Sequence, residues 1–122
     1  LSAALMSGDR MQYLYGQDPT AIGKYIDILM PMVYKYYAGN TLDDEWMRST
    51  CNRFTSASDA QVWAGIQTYT YPEGAQGEVG MTPSMVLSDA QVVRSTDCSG
   101  MVLFRYNLGE FPDVSEFWKG CE

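Results

Sequence analysis

The chain has 122 residues, one domain's worth, and 46% hydrophobic with 19% charged residues excludes a disordered or low-complexity polymer. Eight Lys and Arg against fifteen Asp and Glu leave a net charge of −7, without the basic footprint that nucleic acid or an anionic membrane demands. There is no histidine, so no Ser-His-Asp or Cys-His nucleophile system and no His-ligated zinc can be assembled from these residues alone.

In chain order, Leu1–Met6 is short and apolar and reads as a buried parallel strand. The chain opens inside that segment with no initiator Met and no signal-type leader, so it reads as cut from something longer. Asp18-Pro19 is an N-cap followed by Pro at the first helical position, predicting a short helix through Lys24. Asp27–Tyr34 is a second strand; its apolar run, Ile28 to Tyr34, is interrupted by Pro31 and is far below the roughly 20 residues of a membrane span. Thr41-Leu42-Asp43-Asp44 is a weak capping box heading a helix to about Ser56, with Trp46, Thr50 and Phe54 on one stripe. Gln61–Tyr69 is a third strand, and Thr82-Pro83 then repeats the cap-plus-Pro signal before Val86, Ala90 and Val93 supply an apolar face. Gly100–Tyr106 is the fourth strand, and Asp113–Lys119 a last amphipathic turn or two. Cys51, Cys98 and Cys121 are too far apart for a CxxC site and are either buried thiols or one disulfide plus a spare.

The alternation predicts an α/β fold of parallel β/α units, in one unit spanning residues 1–122. An eight-fold βα barrel takes about 250 residues, roughly 31 per unit, so four units match half of a TIM barrel. A doubly wound domain is the structural rival. Loops that follow strands (7–17, 35–40, 70–81 and 107–112) are long and rich in Tyr, Gly and Asp, whereas those leading into strands are short; function is therefore expected at the carboxyl ends of the strands. Met30, Met32 and Tyr34 alternate on one face of the second strand, Gly65, Gln67 and Tyr69 on one face of the third, and Val102, Phe104 and Tyr106 on one face of the fourth.

Tyr25 to Tyr34 resembles the sixth strand of chitinase-like glycoside hydrolases, where a Met-x-Tyr signature closes the strand, here Met32-Val33-Tyr34. Trp63 to Tyr69 resembles the seventh strand, and Gly100 to Phe104 the eighth, with Phe104 where chitinases carry an inward Trp. Tyr15-Gly16-Gln17-Asp18, Met30 to Lys35, Val62 to Tyr69 and Val102-Leu103-Phe104-Arg105 together look like the glycosidase-like modules of methanogen surface proteins. The resemblance implies that Leu1–Met6 is a fifth strand and the chain the C-terminal half, strands five to eight, of a glycosidase-type TIM barrel acting on a polysaccharide or cell-wall glycan, extracellular or at the cell surface, with no cofactor. It also implies that the proton donor follows a fourth strand encoded upstream, in the remaining half of the barrel.

Within these residues the catalytic candidate is Tyr34, which by resemblance hydrogen-bonds the acyl group of a substrate that attacks its own anomeric carbon; physically, a phenol at a barrel mouth can donate to a developing charge. A core tyrosine whose hydroxyl merely reaches water is the plain alternative. Lys35 departs from the acidic or amide residue usual after that Tyr; it can bind an anionic sugar, pair with a carboxylate from the missing half and lower its pKa, or be a solvated loop lysine. Tyr36, Tyr37, Tyr69, Tyr71 and Tyr106 form a rim suited to the apolar C–H faces of sugars, or to a protein interface. The expected substrate contacts are Met32, Lys35, Tyr36, Gln67, Tyr69, Phe104, Arg105 and Tyr106, with Gln67 and Arg105 as hydroxyl or carboxylate clamps. Asp9, Glu73 and Glu110 are carboxylates in strand-following loops. The enzyme's alternative is a non-catalytic carbohydrate-binding or adhesin module on the same barrel; the partners are a carbohydrate or glycan-peptide polymer and the other barrel half, without nucleic acid or membrane insertion.

Overall fold

The computed structural model describes residues 1–113 and residue 115. The helical turn expected over Asp113–Lys119 falls almost wholly outside them, as does Cys121. In chain order the elements are β1 (Ser2–Leu5), α1 (Met11–Tyr15), α2 (Pro19–Ile22), β2 (Ile28–Pro31), β3 (Tyr36–Tyr37), β4 (Asn40–Thr41), α3 (Asp44–Ala57), β5 (Gln61–Gln67), β6 (Tyr69–Thr70), β7 (Val79–Gly80), α4 (Pro83–Arg94) and β8 (Gly100–Phe104).

β1, β2, β5 and β8 form one parallel sheet in that spatial order, so each strand lies beside its predecessor and β1 and β8 are its edges. A doubly wound sheet reverses its order at a switch point; among these four strands there is no reversal. Right-handed crossovers taken always in one direction place their helices on one face. Accordingly α2 touches α3, and α3 touches α4.

The helix-covered face is the core. Leu5, Leu29, Val62 and Phe54 bury together with Met11, while Ala64 and Ile66 pack with Val33, Met47, Cys51, Ala90 and Val93, backed by Met101 and Leu103. Residues one position away on each strand point to the other face. There Ala4 and Met6 are exposed, and Met30, Met32, Trp63 and Val102 are only partly covered. The structure is thus α/β with one sheet face packed and one open.

The cap at Asp18 forms as its sequence dictates, accepting from the Thr20 amide at 2.9 Å. The cap of α3 is Asp43, whose side chain accepts from the Trp46 amide at 2.8 Å; Thr41, the first residue of the expected box, lies instead in β4. Thr82 precedes Pro83 but makes no side-chain cap bond. Cys51 and Cys98 are free thiols that face each other between α3 and the entry to β8. No helix among the described residues is long and apolar enough to cross a membrane.

Candidate functional site

The main sheet ends earlier than the apolar pattern suggests. After β2 and after β5 the chain leaves the ladder and folds into a small antiparallel hairpin, β3–β4 and β6–β7. Both hairpins follow carboxyl ends of strands, and β3 lies against β6.

Two glycines make room for aromatic rings on the open face. A Cβ at Gly65 would meet the Pro31 carbonyl oxygen at 3.2 Å and the Tyr34 ring at 3.5 Å, and one at Gly100 would meet the Trp63 ring at 3.0 Å. Tyr34 crosses Gly65 and stacks on Phe104, with ring centroids 5.7 Å apart and planes 15° from parallel. Tyr69 meets Phe104 edge-on at 6.4 Å and Tyr71 edge-on at 5.8 Å. Burial, reinforced by Tyr69, pushes the Tyr34 phenol up to about 12. At neutral pH Tyr34 is therefore a proton-bearing donor.

Gln67 has a structural assignment. Its side-chain oxygen accepts from the Tyr36 amide at 2.8 Å and its nitrogen donates to the Tyr36 carbonyl at 2.9 Å. Both amide ends are thereby engaged in fixing the β3–β4 hairpin over the end of β5.

Lys35 turns to the helix side of the sheet. Its ammonium lies 2.6 Å from Asp89 of α4 and 2.8 Å from Asp44 of α3, with the Lys35 and Asp89 side chains 11% and 4% exposed. It is neither a solvated loop lysine nor on the aromatic face. Burial alone would lower the Lys35 pKa, but the bonds to Asp44 and Asp89 outweigh it and hold the ammonium well above its ordinary range. Lys35 in turn lowers Asp44, whereas burial keeps Asp89 above the usual carboxylate range. Tyr36 joins this group, its ring 5.1 Å from the ammonium.

Arg105 bonds Glu78 at 2.9 Å, and Glu78 accepts from the Tyr71 hydroxyl at 3.1 Å, so a chain of charge-assisted bonds orients the Tyr71 ring. Tyr106 is exposed and stacks on Phe111 at 6.5 Å, apart from the Tyr34 group. Met32 bridges to Gly65 and lies on the open face beneath Tyr34. Among the loop carboxylates, Asp9 pairs with Arg53 at 3.3 Å, and Glu73 and Glu110 are exposed.

The structure thus gathers Met32, Tyr34, Tyr69 and Phe104 at one mouth with the rim residue Tyr71 beside them, diverts Lys35, Tyr36 and Gln67 to scaffold contacts, and adds Asp89 and Glu78. Asp89 carried a signal, an acid inside an otherwise apolar helix face, whereas Glu78 carried none. Among the described residues no group of three or more His, Cys, Asp and Glu could hold a metal ion. Comparison of the chain with protein-family models, curated proteins and solved structures finds no match.

Proposed function

We propose that this chain is the C-terminal half of a glycosidase-type barrel and that its open mouth holds a polysaccharide or cell-wall glycan outside the cell or at its surface. The observation that carries the proposal is the Tyr34–Phe104–Tyr69 cluster at the carboxyl ends of β2, β5 and β8, on the sheet face that no helix covers among the described residues. Aromatic faces stack on sugar C–H surfaces while phenol tips meet hydroxyls. A sheet of sequentially ordered parallel strands with two free edges and an open apolar face is what four of eight barrel units would present. In the hydrolytic form Tyr34 donates to the substrate, and the remaining half contributes the carboxylic acid that protonates the leaving oxygen.

A non-catalytic binding or adhesin module is the second reading. It is favoured by Glu78, a carboxylate that reaches the mouth through Tyr71 and Tyr69, being engaged by Arg105 and Tyr71. Retention on insoluble chitin, cellulose and peptidoglycan tests both forms. The wild-type chain is expected to be held by at least one, and Tyr34→Ala with Phe104→Ala to lose at least tenfold in affinity. Reducing-end release by the chain joined to the preceding half, lost when an upstream acid is replaced, supports the enzyme; retention without release supports the module. No retention on any of the three, or retention indifferent to Tyr34 and Phe104, overturns the sugar assignment.

A further inference from the structure

Beside the mouth lies a half-open cleft of about 770 Å³ between the β3–β4 turn and the loop joining β6 to β7. Tyr37 and Asn40 line it from one hairpin, and Tyr71, Glu73 and Gln76 from the other. Its volume is that of a ligand site rather than a packing defect. Resting on the carbohydrate assignment of the mouth, we propose that this cleft is a separate subsite for a neutral oligosaccharide.

Charge decides the ligand class first. Among the described residues Glu73 is the sole charged one lining the cleft, and the chain is acidic overall, so a uronic acid, phosphate or sulfate group would enter without a lining cation to meet it. One carboxylate is also too little for a metal ion. A neutral ligand is left, and the walls select among neutral ligands. Tyr37 and Tyr71 offer rings from opposite hairpins, while Asn40, Gln76 and the glycine-rich backbone from Gly74 to Gly77 supply donors and acceptors of both kinds. Alternating apolar and hydroxyl surface is the chemistry of a sugar ring.

The walls are also held in place before any ligand arrives. The Tyr71 hydroxyl is fixed by Glu78, which Arg105 fixes in turn, and the opposite hairpin is pinned where Gln67 bonds both backbone groups of Tyr36. Preorganised aromatic walls lose little side-chain entropy on binding. This explains why Arg105 and Gln67, expected as direct clamps, act one step back from the ligand.

The test titrates the isotopically labelled chain with cellohexaose, chitohexaose, a galacturonic acid hexamer and a proline-rich decapeptide, following amide shifts by NMR. A neutral hexamer is expected to shift Asn40 and the 74–77 amides, and the acidic hexamer to bind at least tenfold more weakly. Tyr37→Ala and Tyr71→Ala are each expected to weaken the neutral hexamer about tenfold, the worth of one stacked ring. Tyr71→Phe, which keeps the ring, separates stacking from folding and is expected to lose less than threefold. Shifts at the Tyr34–Phe104 mouth without shifts at 74–77 overturn the subsite and leave the mouth assignment standing. No shift with either neutral hexamer at either place overturns both, and tighter binding of the peptide or of the acidic hexamer at 74–77 overturns the ligand class.

Discussion

Lys35 shows how one side chain ties three elements together. Its ammonium joins the carboxyl end of β2 to Asp44 at the start of α3 and Asp89 within α4. Replacing it strands a buried carboxylate, and breaking a buried pair by removing one partner costs about 3–5 kcal/mol. Lys35→Ala is expected near the low end, about 3 kcal/mol in urea unfolding, and Asp44→Ala, whose carboxylate is half exposed, under about 1 kcal/mol. Equal losses would mean that Asp89 is not the principal partner. The pH dependence has a definite sign. Lys35 and Tyr34 both bind their protons more tightly when folded, from ordinary values of 10.5 and 10.0. Their contribution is full below about pH 10 and falls as pH rises through about 12. The urea midpoint is expected to drop over that interval, and the 295 nm titration of wild type minus Tyr34→Phe to show a late phenol. At this scale Tyr34 was legible because it closes an apolar alternation. Lys35 was not, since the acids that bury it lie on two distant helices.

The four long strands and the helices α2, α3 and α4 follow from local signals: apolar runs, Asp-Pro and Thr-Pro starts, and an apolar stripe through Val86, Ala90 and Val93. The hairpins β3–β4 and β6–β7 do not. Each strand in them has two residues, too few for an alternation to register, and the aromatic sequence continuing past β2 and β5 imitates more ladder. What ends β5 is Thr68. Its hydroxyl shares its one proton between the Arg105 and Leu108 carbonyls and accepts from the Arg105 amide, while its own carbonyl accepts from the Met81 amide. Gly109 closes this knot with φ +90°, where an added Cβ would fall 2.1 Å from the Thr68 carbonyl oxygen. Gly109→Ala is expected to cost about 2–3 kcal/mol, combining left-handed strain with that collision. Thr68→Val, which removes the partner of the Arg105 amide and the Leu108 carbonyl, both only partly buried, is expected to cost about 1–2 kcal/mol. Amide exchange at Met81 and Glu110 reads the loosening directly, and unchanged protection in both variants would remove the knot from its role.

At the scale of the molecule, one sheet face is sealed by helices and the other carries Met30, Met32, Trp63, Val102 and Phe104 between two edge strands. Such a surface invites association and strand pairing in water. The chain by itself is expected to sediment as a concentration-dependent oligomer and to bind a hydrophobic dye. Val102→Lys, on the open face of edge strand β8, is expected to reduce both while changing stability by no more than about 1 kcal/mol. The parallel α/β class was legible from strand spacing and loop asymmetry, and an open apolar face with two unpaired edges follows from reading the chain as four of eight barrel units. Saturation-transfer NMR with the aromatic protons irradiated addresses the proposed sugar-binding mouth most directly. With chitohexaose or cellohexaose, magnetisation is expected to reach sugar C–H protons from the wild-type chain and to fall at least fivefold in the Tyr34→Ala, Phe104→Ala double variant. Transfer unchanged in that variant, or absent from the wild type with both sugars, would contradict a carbohydrate site built on these rings.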